Sequence, residues 1–190
     1  MRPIANTRSA AGITTGRLAV WWVVGSEIVI FGGLLASYIM HRLAHASWAE
    51  QAAHTNVWIG LFNTFVLLTS SLFAVLAHYA AETERNGPKA ARYLLFTFFG
   101  GLTFLLVKAA EWTIEITAGY TVTSNGFWSF YYTAAGLHAT HVLAGMIIML
   151  IVAHAARQGR ELHRVELIGI YWHFVDIVWI FLFPLLYIAK

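Results

Sequence analysis

The chain has 190 residues, 59% of them hydrophobic and 11% charged, with a formal net charge of +3. A soluble domain carries about 25% charged residues, so the deficit points to lipid as the solvent. The basic residues lie in loops between apolar runs, which excludes a nucleic-acid binder, and the lack of cysteine excludes disulfides, iron–sulfur clusters and thiolate zinc sites.

Residues 1–17 carry Arg2, Arg8 and Arg17 among Ser and Thr with no acid, and no small-residue cleavage site follows a brief apolar core. They read as a cytoplasmic tail ahead of a five-helix domain over 18–190. Apolar runs predict spans at 18–40, 57–79, 93–112, 127–156 and 167–189, each near or above the length that crosses a bilayer core. The fold class is therefore all-α, a polytopic membrane bundle of five transmembrane helices. The fourth span would be roughly 45 Å long at helical rise and must tilt or protrude. Asn86-Gly87-Pro88 reads as a turn between spans two and three, and Ser124 or Asn125 as an N-cap of span four.

Orientation follows from basic residues at each face. The tail, the second loop (Arg85, Lys89, Arg92) and the fourth loop (Arg157, Arg160, Arg164) hold nine, against Arg42 and Lys190 on the other side. That bias places the N-terminus in the cytoplasm and the C-terminus outside. Trp21, Trp22, Trp58, Trp112 and Tyr187, near span ends, read as interfacial belts.

Ionisable residues at membrane depth are costly and carry a functional hypothesis by default. Glu27, mid-span in Gly25-Ser26-Glu27, must find a donor on another helix or keep its proton. It is either a carboxyl that ties helices together or a proton-relay or lipid-headgroup contact. Lys108 and Glu111 lie three apart on one face of the third span, with Glu115 four further on. At that spacing they can neutralise one another, as a structural pair or as part of an ion pathway. His138 and His141 on the fourth span share the same i, i+3 spacing. Two imidazoles are too few for a closed metal site, so a metal would need Glu27, Glu111 or Asp176 from neighbouring helices; interhelical hydrogen bonding is the other reading. His173 and Asp176 on the fifth span could form a self-contained polar unit or a proton site. Trp172 and Trp179, seven apart, read as packing against lipid or a partner, and His78 and His154 as reaching the interface.

In sequence order these motifs resemble subunit III of the haem-copper oxidases, the cytochrome c and quinol oxidases. The likeness begins at Gly25-Ser26-Glu27 and continues through Leu61-Phe62-Asn63-Thr64 and Leu67-Leu68-Thr69-Ser70-Ser71 to Ala77-His78. It runs on through Lys108-Ala109-Ala110-Glu111-Trp112, Gly136-Leu137-His138-Ala139-Thr140-His141-Val142 and Tyr171-Trp172-His173-Phe174-Val175-Asp176-Ile177-Val178-Trp179. The length is similar to the short bacterial form, which lacks two N-terminal helices of the longer one.

The resemblance implies an accessory subunit in a bacterial inner membrane, with no catalytic centre, metal or cofactor of its own. Haem and copper would sit in partner subunits. It implies direct packing on subunit I, association with subunit II, phospholipid held in a cleft, support for proton uptake, and protection of the oxygen-reducing centre during turnover. It equates Glu27 with the family's buried, carbodiimide-reactive carboxylate, and makes His138, His141, His173 and Asp176 bundle-internal polar contacts. Lys108 departs from the family, many of whose members have an uncharged polar residue there. Three alternatives stand beside this reading: a subunit III-like protein accompanying nitric oxide reductase, a stand-alone proton or ion transporter, and a metal-dependent membrane enzyme built on His138 and His141.

Overall fold

The computed structural model describes residues 14–45 and 47–189. Among them the chain is helical throughout: α1 (Thr15–Ala44), a short α2 (Ser47–Ala52), α3 (Val57–Glu82), α4 (Gly87–Thr117), α5 (Gly126–Arg157) and α6 (His163–Phe183). A π-helical turn, Pro184–Ile188, continues α6 and is marked by the Ala189 N–H donating to the Pro184 carbonyl at 2.8 Å. Five helices are long and apolar enough to cross a membrane: α1, α3, α4, α5, and α6 with its π turn. Arg2, Arg8 and Lys190 lie outside the described residues; Arg17 lies in the first turn of α1 and pairs with Glu166 at 2.6 Å.

The helices outrun the expected spans, most of all in α4, which starts at 87 rather than 93 and ends at 117 rather than 112. Hydropathy locates the part of a helix that needs lipid, whereas capping decides where it stops. Asn86 accepts from the Lys89 N–H at 3.0 Å, and Pro88 occupies a first-turn position where its missing N–H costs nothing. The Asn-Gly-Pro turn is therefore a helix start, and the connection shrinks to residues 83–86. Asn125 caps α5 through the Trp128 N–H at 3.2 Å, and Asn56 caps α3 through the Trp58 and Ile59 N–H groups. The first connection, read as a loop, contains α2, whose Trp48 is buried against Tyr38, Phe127 and Phe130.

The bundle proper is α3 to α6. α3 and α4 form an antiparallel hairpin, α4 lies along α5, and α6 packs against both α3 and α5. Small residues permit the close approach that replaces hydrophobic driving force inside lipid. Ala74, Ala77, Ala80, Ala81, Ala90 and Ala91 are all buried along the hairpin, and a Cβ at Gly87 would run into the Ala156 carbonyl oxygen. α1 leans on the outside, against α6 and α5, and buries only Val24, Phe31 and Tyr38.

Two readings of the aromatic residues need correction. Trp172 and Trp179 do not face lipid or a partner: both are fully buried, and their indole N–H groups donate across the bundle to Ser70 Oγ and Thr64 Oγ1, each at 3.0 Å. Tyr187 is not an interfacial belt residue either, because the π turn swings its ring into the core. Trp21, Trp22 and Trp58 are exposed on the bundle surface.

Candidate functional site: three buried polar clusters

The first cluster joins α1 to α5. Glu27 Oε2 lies 3.0 Å from His141 Nε2, both side chains largely shielded, although the contact lacks the alignment of a good hydrogen bond. The other ring nitrogen, Nδ1, is held against the Leu137 carbonyl at 2.8 Å. Phe31 packs edge-on against the imidazole at 5.2 Å, and the Tyr171 hydroxyl donates to the His141 carbonyl at 3.2 Å. α1 is thus fixed to the bundle at mid-depth by one carboxylate–imidazole contact.

The second cluster lies where the C-terminal part of α4 meets the N-terminal part of α5 and the π turn. The Lys108 ammonium donates to Glu111 Oε2 at 2.9 Å, to the Tyr131 hydroxyl at 2.8 Å and to the Tyr187 hydroxyl. Each phenol passes its own hydrogen on: Tyr187 to Glu111 Oε2 at 3.0 Å, Tyr131 to Glu115 Oε1 at 2.8 Å. The ammonium also sits 4.6 Å from the Tyr131 ring centroid and 5.7 Å from that of Trp179, a cation–π setting. Lys108 is 1% exposed, so the ion pair is removed from solvent as well as from lipid. Spacing brought Lys108 and Glu111 into view. Tyr131 and Tyr187, which complete the ammonium's coordination, come from distant sequence and carried no local signal.

The third cluster joins α6 to α3. The Ser71 hydroxyl and His173 Nδ1 are 2.6 Å apart. Asp176, 3% exposed, makes no well-formed hydrogen bond with either carboxylate oxygen, the nearby Ser71 hydroxyl being engaged by the imidazole. His173 and Asp176 are therefore not a self-contained pair, since the imidazole turns to α3.

His138 belongs to none of these. It is fully buried, stacked on Trp179 at 5.2 Å and edge-on to Phe104 at 5.4 Å, with neither nitrogen hydrogen-bonded. The two histidines of the fourth span thus diverge: His141 reaches α1, while His138 points into the aromatic core. Glu27 goes to His141 and Glu111 to Lys108, and among the described residues no three His, Asp or Glu side chains converge as metal ligands.

Known proteins are similar to this chain over most of its length. The family model described as "Cytochrome c oxidase subunit III" matches residues 6–190. A "Cytochrome c oxidase subunit 3" of Corynebacterium diphtheriae is 32% identical over 174 residues, covering 88% of this chain and 84% of that protein. One from Bacillus subtilis is 32% identical over 178 residues, covering 90% and 84% respectively. A "Heme-copper oxidase subunit I+III" of Aeropyrum pernix is 31% identical over 184 residues, which are 91% of this chain and 22% of that longer protein.

Proposed function

From the premise that the chain belongs to the cytochrome c oxidase subunit III family, we propose that it serves the oxidase as a non-redox companion, packed on subunit I. It is a subunit III of a haem-copper oxidase and a multi-pass protein of the bacterial membrane. The carrying observation is the family match over residues 6–190. Contact with subunit I is supported by the Aeropyrum pernix protein, whose name joins subunits I and III in one polypeptide. Haem and copper are assigned to partner subunits, with subunit II a further neighbour, and oxygen reduction takes place outside this chain.

In this reading Glu27, with His141, is the carboxyl linked to proton uptake and to endurance under turnover. Lys108, Glu111, His138, His141, His173 and Asp176 are contacts that hold the bundle's shape. The nine-to-two basic bias supports a cytoplasmic N-terminus and an outer C-terminus. Phospholipid has a candidate seat in an apolar groove of about 470 Å³ between α1, α5 and α6, lined by Val20, Val23, Ile151, Ile168, Tyr171 and Arg164, whose guanidinium pairs with Glu161 at 2.8 Å.

The test is purification of the intact complex through a tag on this chain. The expected result is co-isolation of haem- and copper-containing subunits with oxygen-consuming activity. Nitric oxide consumption without oxygen uptake would move the chain to a reductase. Isolation of the polypeptide alone, with selective conductance in liposomes, would overturn the reading.

A further inference from the structure

The charges in the Lys108 cluster do not cancel. Two carboxylates, Glu111 and Glu115, face one ammonium, and none of the three residues is more than 6% exposed. Among the described residues no neighbour supplies the missing positive charge. α5 contributes the phenols of Tyr131 and Tyr132, and the π turn contributes that of Tyr187. His138, also on α5, lies against Trp179, and its nitrogens bond neither carboxylate. His54, between α2 and α3, sits against the Tyr120 hydroxyl at 3.0 Å. An uncompensated charge buried in this way is expensive, and a carboxylate so placed takes up a proton instead.

Glu111 Oε1 is buried without a hydrogen-bond partner, so a proton there would have no acceptor, whereas Glu115 Oε2 faces the Tyr132 oxygen. All three ammonium hydrogens are engaged, by Glu111, Tyr131 and Tyr187. The Tyr131 and Tyr187 hydrogens go to Glu115 Oε1 and Glu111 Oε2. The single Tyr132 hydrogen is directed at the Tyr120 carbonyl at 2.7 Å, so the 3.5 Å contact between Tyr132 and Glu115 Oε2 is left without a hydrogen of its own. Glu115 also stands in the last turn of α4, where the helix dipole opposes negative charge.

We propose that this cluster is a proton-binding site holding one exchangeable proton, seated on Glu115 Oε2 and directed at the Tyr132 oxygen. Lys108 as ammonium, Glu111 as carboxylate and Glu115 as acid then sum to zero. Loading is the simple addition of a proton to a carboxylate, with no other bond made or broken. The site does not depend on the role proposed for Glu27 or on which complex houses the chain.

Charge balance gives the test an unusual pattern. Infrared difference spectra of the intact complex, in water and deuterium oxide, report protonated carboxyls by their carbonyl stretch. Glu115→Gln should remove one exchangeable acid carbonyl relative to the parent. Glu111→Gln should also remove one, because Glu115 then ionises to balance Lys108. Lys108→Met should add one. The two isosteric Gln variants decide the matter if the Met variant does not assemble. If neither Gln variant loses an acid carbonyl, or if the band is present in choline buffer and lost in sodium, the balancing charge is not a proton and the proposal fails.

Discussion

Gly101 on α4 and Trp172 on α6 offer a stringent test of the packing argument. A Cβ at Gly101 would stand 2.7 Å from Trp172 Cη2 and 3.1 Å from Met146 Cγ and Sδ, where ordinary carbon contacts are about 3.5–4.0 Å. The indole cannot retreat: Gly145 of α5 is so close to it that a Cβ there would lie 3.1 Å from its Cε3 and Cζ3 atoms, and its N–H is held by Ser70. Overpacking of this kind costs about 1–3 kcal/mol. Alanine recovers about 1 kcal/mol of helix propensity relative to glycine, leaving Gly101→Ala destabilised by at most about 2 kcal/mol. Trp172→Phe alone loses an interhelical hydrogen bond, about 0.6 kcal/mol inside a membrane, plus the contacts of the missing ring. Combined, the smaller ring makes room for the methyl, so the double variant should be less damaged than the sum by about 1 kcal/mol. SDS-titration unfolding in mixed micelles, followed by circular dichroism, measures the cycle. Additivity within about 0.5 kcal/mol would refute the geometry of this slot.

Lys108→Met removes the cation on which Glu111, Tyr131 and Tyr187 converge; breaking a buried pair costs about 3–5 kcal/mol, so the yield of assembled complex should fall sharply, as native gels would show. Glu27→Gln should preserve assembly yet shorten the working life of the enzyme during turnover, and inactivation kinetics identical to the parent would remove that role. His173→Leu takes away the partner of Ser71 and should weaken the bundle by about 1–3 kcal/mol, loosening attachment to subunit I; unchanged detergent resistance of the complex would count against it.

The five membrane-crossing helices were legible because hydrocarbon demands long apolar runs and little else satisfies that demand. Their ends were not, since α4 starts at a side-chain cap six residues before the apolar stretch begins. The direction in which Trp172 and Trp179 point was hidden for another reason: α6 is apolar on every side, so periodicity does not separate lipid from core. Lys108 with Glu111 was readable from spacing within one helix. The turn of His138 away from His141, despite identical spacing to a neighbour, was not, because it depends on the indole of a different helix. Tyr187 was least accessible of all, its inward course being set by the switch to π-helical winding at Pro184.

The position of α1 bears on how the protein is made. Its anchors are Arg17 to Glu166, Phe31 against Phe174, and the Tyr38 hydroxyl on the Leu185 carbonyl, 147 residues downstream. α1 therefore has its principal seat on α6, which is made after it, and must wait in the bilayer until α6 inserts. Nascent chains truncated before α6 should leave α1 undocked, so that a cysteine introduced at Tyr38 reacts readily with a membrane-permeant thiol reagent and becomes protected only once α6 and its π turn have been made.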